Sequence, residues 1–259
     1  MTPGEIIENT NLKGDYYKVR FYAPGFAEKA QPGMFVHVRI DHRGDQILRR
    51  PFSIQLAEGD ALSVVYKVVG KGTAELSRLK PGAVCDLLGP RGRGFSVPPA
   101  GYTPVAVAGG YGAAATFMLT RNTGRKGLLL LGARSGADVI LTEEYEKAGF
   151  EVRIATNDGS VGRKGFVTEL LPELLAERPG EKFFFCGCGP HPMLMALARW
   201  LKENGQQGQL SIDHIMCCGV GACFGCVVKV NDPGSETGWK YARACADGPV
   251  FDLNDVYVG

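Results

Sequence analysis

The chain lacks the markers of several protein classes. No apolar run approaches the roughly 20 residues needed to cross a bilayer. The opening "MTPGEIIENTNLKGDYYKVRF" has no basic segment followed by an apolar one, so no secretory leader is read there. An excess of one charge is missing too: 29 basic and 27 acidic residues leave a net charge of +2, with no block of either sign. Nothing in that balance argues for nucleic acid or an anionic membrane as a partner. Internal repeats and low-complexity segments are also absent. These absences together lead to the expectation of a soluble, cytoplasmic protein with neither a nucleic-acid nor a membrane partner.

What is present is an apolar fraction of 45% in 259 residues, enough for more than one core, and 36 glycines that imply many tight turns. The first 98 residues read as β. "DYYKVRFYAP", "GMFVHVRI" and "PFSIQLAEGDALSVVYKVV" carry β-branched and aromatic residues between turn signals, and "TAELSRL" is a short helical piece. Such a pattern suits a small barrel or sandwich. At "SVPPAGYTP" the character changes. From there, short apolar runs ("VAVAGG", "GLLLLGA", "EVRIATN", "KFFFCG") alternate with helical segments, the mark of a doubly wound sheet. The alternation stops near residue 211. The expected domains are therefore 1–98, 99–210 and 211–259.

Eight cysteines are present, and five of them fall in or after "HIMCCGVGACFGCVVKV". Clustered thiols in a chain of this kind point to metal rather than disulfides. Cys218, Cys223, Cys226 and Cys245 follow C-x4-C-x2-C…C, the plant-type spacing for a [2Fe–2S] cluster. A four-thiolate zinc site would show two C-x2-C knuckles, and only one is present. Using Cys217 in place of Cys218 would give C-x5-C, outside the pattern, so Cys217 is read as a neighbour of uncertain role.

Two further segments have the chemistry of phosphate and cofactor sites. In "RRPFSI" a strand alternation puts Arg50 and Phe52 on one face and Ser53 on the other. A cation there can neutralise a phosphate, an aromatic can pack on a ring, and a hydroxyl can hydrogen-bond one. An ordinary strand edge, Pro51 included, is the rival reading. Gly70, Lys71, Gly72 and Thr73 open a short helix that offers an anion site, unless Thr73 is only an N-cap. Gly109, Gly110 and Gly112 follow a buried strand and precede a helix, where a dinucleotide phosphate approaches the backbone. The pattern is G-G-x-G, not G-x-G-x-x-G, and a tight turn needing glycine for its own sake remains the alternative. Cys188, Gly189 and Pro190 form a second such turn. Cys188 lies near a reacting nicotinamide in one reading and simply fills space in the other.

Taken in order, "RRPFS", "GKGT", "AGGYGAAA" and "CGCGPHPM" resemble the ferredoxin–NADP reductase superfamily. The tail "CCGVGACFGCVVKV…YARACADGPVFDLNDV" sharpens this to a resemblance to the electron-transfer subunits of type B dihydroorotate dehydrogenase. The resemblance covers essentially the whole chain. It implies an antiparallel FAD-binding β-barrel, a Rossmann-like NAD-binding domain and a small C-terminal [2Fe–2S] domain. It also implies FAD at Arg50, Pro51, Phe52, Ser53, Gly72 and Thr73, with Ser53 tuning the flavin ring. NAD would sit at Gly109, Gly110, Gly112, Cys188, Gly189 and Pro190, and the cluster on Cys218, Cys223, Cys226 and Cys245. The implied partner is an FMN-containing dihydroorotate dehydrogenase catalytic subunit, in a heterotetramer of two plus two. Electrons would pass from that FMN through the cluster and FAD to NAD+, in pyrimidine biosynthesis. Ala114 and Ala115 stand where the superfamily often has proline. A flavin and iron–sulfur subunit of an NAD(P)H–ferredoxin or sulfide oxidoreductase shares the layout. Some of those replace the first cluster cysteine by aspartate, so Cys218 favours the dihydroorotate branch. Arg134 could meet an NADP 2′-phosphate, whereas Asp138 and Asp158 oppose one.

Overall fold

Alternate residues of the strand Tyr16–Tyr22, Val19 and Phe21 among them, are apolar, and the barrel collects them inside. The structure is a computed structural model that describes residues 2–40, 47–122, 124–212 and 215–259. Six antiparallel strands close on themselves: β1 (Thr2–Lys13), β2 (Tyr16–Tyr22), β3 (Phe35–Arg39), β4 (Arg50–Glu58), β5 (Ala61–Lys67) and β6 (Val84–Arg91), in the order β1-β2-β5-β4-β3-β6. Ile6, Val19, Phe21, Val36, Val38, Ile54, Leu62, Val64 and Leu87 are fully buried in the interior. A short helix, α1 (Lys71–Leu76), bridges β5 and β6. Closure removes both sheet edges, so barrel rather than sandwich is the outcome. Strand β1 is an addition to the sequence reading, which began its strands after residue 14. Pro3, Gly4 and the two asparagines of β1 give it low intrinsic strand propensity, and pairing on both sides, to β2 and β6, supplies the missing context.

The second layer system is parallel. Strands β7 (Tyr102–Gly109), β8 (Leu128–Ala133), β9 (Glu151–Thr156), β10 (Arg163–Lys164), β11 (Lys182–Cys188) and β12 (Gln207–Ser211) stand in the order β10-β9-β8-β7-β11-β12. Leu128 to Leu131 are all buried, as expected of a strand covered on both faces. The helix expected over "AATFMLTRN" is two short pieces, α2 (Gly112–Thr116) and α3 (Leu119–Asn122). Helices α4 (Thr142–Lys147), α5 (Leu170–Glu177) and α6 (His191–Glu203) complete the flanks.

The C-terminal segment forms a hairpin, β13 (Val227–Asn231) with β14 (Trp239–Arg243), and then β15 (Val250–Asp252). Strand β15 joins the parallel sheet as an antiparallel edge strand beside β12. The tail thereby locks the cysteine loop onto the sheet: Cys226, Ala244 and Cys245 belong to the same core cluster as Val105, Phe185 and Leu210. No described helix is long and apolar enough to cross a membrane.

Candidate functional site

The cysteine loop sorts its own thiols. Backbone N–H groups donate to four sulfurs: Val220 to Cys218 (3.5 Å), Gly225 to Cys223 (3.4 Å), Cys245 to Cys226 (3.4 Å) and Gly221 to Cys245 (3.2 Å). These are the four thiols singled out by spacing. Cys217 is exposed, and its thiol is shifted upward by desolvation and by the neighbouring Cys223. The Val220 N–H, helped by the Cys223 and Ala222 N–H groups, draws Cys218 down to about 6, into the thiolate range at neutral pH. Burial and the Cys226 contact push Cys245 up to about 11.

The four thiols that receive a backbone N–H neighbour one another two by two, Cys218 with Cys223 and Cys226 with Cys245; Cys217 also lies against Cys223 but has no such N–H among the described hydrogen bonds. Among the described residues no three ligating side chains converge on one point. One zinc ion needs four thiolates around a single centre, whereas two irons need two thiolates each. Two couples, each sulfur met by a backbone N–H, fit a [2Fe–2S] cluster.

Sequence inspection passed over the residues that brace this loop. Arg243 Nη1 donates to the Gly221 carbonyl at 3.1 Å, and its guanidinium lies 5.5 Å from the Phe224 ring. Asp247 accepts from the Arg243 backbone (2.8 Å) and from Nε (2.9 Å). Phe224, at φ +57°, stays 61% exposed.

Strand register decides what the flavin segment presents. In the β3–β4 ladder Val36 faces Phe52, while Phe35 faces Ser53 and His37 faces Pro51. Facing residues share a side of the sheet. Phe52 therefore lies with Val36 in the barrel cluster, 5.6 Å from Tyr66, and Arg50 is on that side as well. Pro51 and Ser53 lie on the opposite side with Phe35, which packs into the core shared with Cys226 and Cys245. The outer side of β4 also meets the second domain. Helix α2 packs against β4, and Gly33 N–H donates to the Ala115 carbonyl at 2.9 Å.

At α1 the N-cap is Gly70, and Thr73 is the third helical residue, not the N-cap. Its hydroxyl accepts from the N–H groups of Val69 (2.9 Å) and Gly70 (3.2 Å). Thr73 thus takes the Val69 and Gly70 donors, and the N–H groups of Lys71, Gly72 and Thr73 are the first-turn donors left for an anion.

The two glycine turns flagged in the nucleotide domain press on each other. A Cβ on Gly109 would lie 2.6 Å from Pro190 Cδ, and one on Gly112 would overlap the Cys188 carbonyl oxygen. A Cβ on Gly189 would come 2.9 Å from the Gly109 nitrogen. Both turns follow the C-terminal ends of the neighbouring parallel strands β7 and β11, the end of the sheet where ligands of such folds bind. Gly110 differs: its φ is +55°, and the nearest atom to its missing Cβ is the Tyr16 hydroxyl at 3.9 Å.

That hydroxyl belongs to a network with no sequence signal. Asp138 accepts from Tyr16 Oη (2.7 Å) and Lys67 Nζ (2.9 Å), and Lys13 Nζ donates to the Gly136 carbonyl (2.6 Å). The Lys67 ammonium holds Asp138 below the usual carboxylate range, with Tyr16 helping, while burial pushes Tyr16 up to about 12. Asp138 is thus turned to the barrel, while Asp158 stays at the exposed end of β9 with Ser160.

Comparison with known proteins agrees with this architecture. Residues 213–257 match the family described as the iron–sulfur cluster binding domain of dihydroorotate dehydrogenase B. A dihydroorotate dehydrogenase B (NAD(+)) electron transfer subunit from Fusobacterium nucleatum is 36% identical over 98% of this chain and 97% of its own length. One from Bacillus caldolyticus is 40% identical over 88% of each. A solved NADH-dependent reduced ferredoxin–NADP oxidoreductase superposes with a TM-score of 0.82 at 28% identity, over 98% of this chain and 89% of that one. A ferredoxin reductase of carbazole 1,9a-dioxygenase, at 22% identity and a TM-score of 0.66, shares the fold over 79% of this chain and 66% of that one. The chain belongs to the family of dihydroorotate dehydrogenase B electron transfer subunits.

Proposed function

We propose that this chain is the NAD-linked electron-transfer subunit of a dihydroorotate dehydrogenase. It would take electrons from an FMN-bearing catalytic subunit and deliver them to NAD+. One observation carries the reading: a single side of the β3–β4 ladder is covered by the cysteine loop and met by the nucleotide domain. The β3–β4 ladder suited to a flavin is thus in contact with both other carrier segments, through β3 with the cysteine loop and through β4 with helix α2.

A bound flavin exchanges electrons in pairs or singly, and so joins nicotinamide hydride chemistry to one-electron iron–sulfur chemistry. The protein's own contribution is positioning. Cys218, Cys223, Cys226 and Cys245 would hold the two irons, with one backbone N–H on each sulfur. Arg50 and the N–H groups of Lys71 and Gly72 would take the FAD pyrophosphate, and Ser53 would face the flavin ring. Gly109, Gly110, Gly112 and the Cys188–Pro190 turn would admit the nicotinamide nucleotide. Asp158, left as an exposed carboxylate, opposes a 2′-phosphate and favours NAD.

The catalytic subunit would dock over the cysteine loop. Exposed Ile215, Val220 and Phe224 cluster there in sequence around the two more accessible ligands. A heterotetramer of two plus two is the proposed assembly. Eight free cysteines suit the reducing cytoplasm.

The test is co-expression with the catalytic subunit, followed by an assay of dihydroorotate-dependent NAD+ reduction. Flavin and [2Fe–2S] absorption in the purified chain, with NADH formed only when both subunits are present, is the expected result. Colourless protein holding zinc, or a native partner unable to oxidise dihydroorotate, would overturn the reading.

A further inference from the structure

His37 is fully buried, and among the described residues neither of its ring nitrogens has a hydrogen-bond partner. A neutral imidazole carries one N–H and one lone pair. Leaving such groups unpaired in a core is costly, and native proteins rarely do so. The ring therefore calls for a partner that the chain itself does not supply.

Its surroundings say where that partner sits. On one side His37 faces Pro51 of the flavin segment across the β3–β4 ladder. On the other it meets Gly219, the residue after Cys218: a Cβ there would come 2.6 Å from Nδ1 and 2.7 Å from Cε1. Neither neighbour pairs with the ring: no hydrogen bond joins either ring nitrogen to Pro51 or Gly219, and the Gly219 carbonyl is turned to Arg91 Nε at 3.4 Å. The ring is held uncharged, down at about 4, by burial and by Arg49 and Arg91. Arg49 is ion-paired to Asp86. Glycine at 219, with φ +67°, is what lets the loop lie against the imidazole.

We infer that His37 is a positioning residue for the iron–sulfur cluster, its ring N–H donating to a sulfur at the Cys218 end. This rests on the proposal that the cysteine loop holds that cluster. Hydrogen bonds to cluster sulfurs help set the reduction potential. A donor stabilises the more negative, reduced form, so His37 holds the potential up and eases electron entry.

The experiment uses the full chain with its cofactors, as His37→Leu and His37→Gln. Leucine fills the space without a donor, and glutamine restores an N–H. The cluster potential is measured by redox titration followed through its paramagnetic signal. The expected result is a lower potential in His37→Leu, recovered towards wild type in His37→Gln, with flavin content unchanged. An unchanged potential in His37→Leu overturns the assignment, as does flavin loss with the cluster potential intact. Should His37→Leu take up no iron, His37→Gln decides: full iron with a near wild-type potential supports the assignment, and no iron overturns it. Iron and acid-labile sulfide in the wild-type chain test the cluster reading separately, since their absence there would sink that reading before His37 is touched.

Discussion

The sharpest mechanical prediction concerns Gly112→Ala. The added methyl would overlap the Cys188 carbonyl oxygen and lie 2.7 Å from the carbonyl carbon. Both are backbone atoms, so no rotamer change relieves the clash, and the two turns must part by most of an ångström. Overpacking of this kind costs about 1–3 kcal/mol, and a contact between two backbones belongs at the upper end. For a chain of this size that is a fall in melting temperature of about 4–12 °C. Function should suffer more than stability, because a displacement near 1 Å at a positioning site costs about 10²-fold in rate. Gly110→Ala is the control. It carries the left-handed penalty of about 1–2 kcal/mol at φ +55°, but its methyl meets nothing nearer than the Tyr16 hydroxyl at 3.9 Å. NADH-dependent dye reduction and thermal melting of both variants decide the matter. Gly112→Ala should lose far more kcat/KM for NADH than Gly110→Ala. If Gly112→Ala melts and turns over like wild type, the mutual packing of the turns does not position the nucleotide.

Three further outcomes are expected. Cys217→Ser should keep its iron while Cys218→Ser loses most of it, because Cys223 neighbours both thiols but of the two only Cys218 receives a backbone N–H among the described hydrogen bonds; equal loss in both would undo the ligand set. Asp138→Asn should cost about 1–2 kcal/mol at neutral pH, since the ion pair is partly exposed, and should loosen the barrel from the nucleotide domain as read by proteolysis. The sign follows from the shifts: Asp138 is lowered, so its contribution is present above its unfolded value of 3.8 and is lost in more acid solution, and Lys67 is raised, so its contribution is lost only above 10.5. The wild-type-minus-variant difference should be flat from about pH 5 to 9. Phe224→Asn relieves a positive φ and removes an exposed ring; calorimetry should show intact cluster content but binding to the catalytic subunit weakened by about 2 kcal/mol, the scale of an aromatic hot spot.

What the sequence made legible was local. Cys218, Cys223 and Cys226 lie within nine residues, and their spacing alone separates two irons from one zinc. The parallel strands declared themselves through apolar runs ending in glycine. The barrel strand β1 did not, because Pro3, Gly4 and its asparagines carry no strand signal until β2 and β6 flank them. Strand β15 was equally silent: three residues at the end of the cluster segment take their role from β12, some forty positions upstream. The Tyr16–Asp138 contact joins residues 122 apart. His37 reads in sequence as one polar residue in "FVHVR", and only register and the approach of Gly219 show what it faces.

The glycine turns show why local reading also left its alternatives open. Phosphate approach and backbone packing looked like rival reasons for Gly109, Gly110 and Gly112. The structure divides them by residue. Gly109, Gly112 and Gly189 are needed because the two turns pack backbone to backbone, with no room for a Cβ on any of them. Gly110 is needed for its φ of +55° and leaves open space on the side of Tyr16. Packing is thus the means of building the site. Three glycines bring the ends of β7 and β11 together, and the fourth leaves the approach to that joined edge unobstructed. Substitution at the first three should therefore disturb the position of the nucleotide, and a bulky residue at Gly110 should instead block its entry. A Gly110→Val chain that still folds, its melting temperature lowered by the positive φ, yet loses NADH binding far beyond Gly110→Ala would separate the two roles within a single turn.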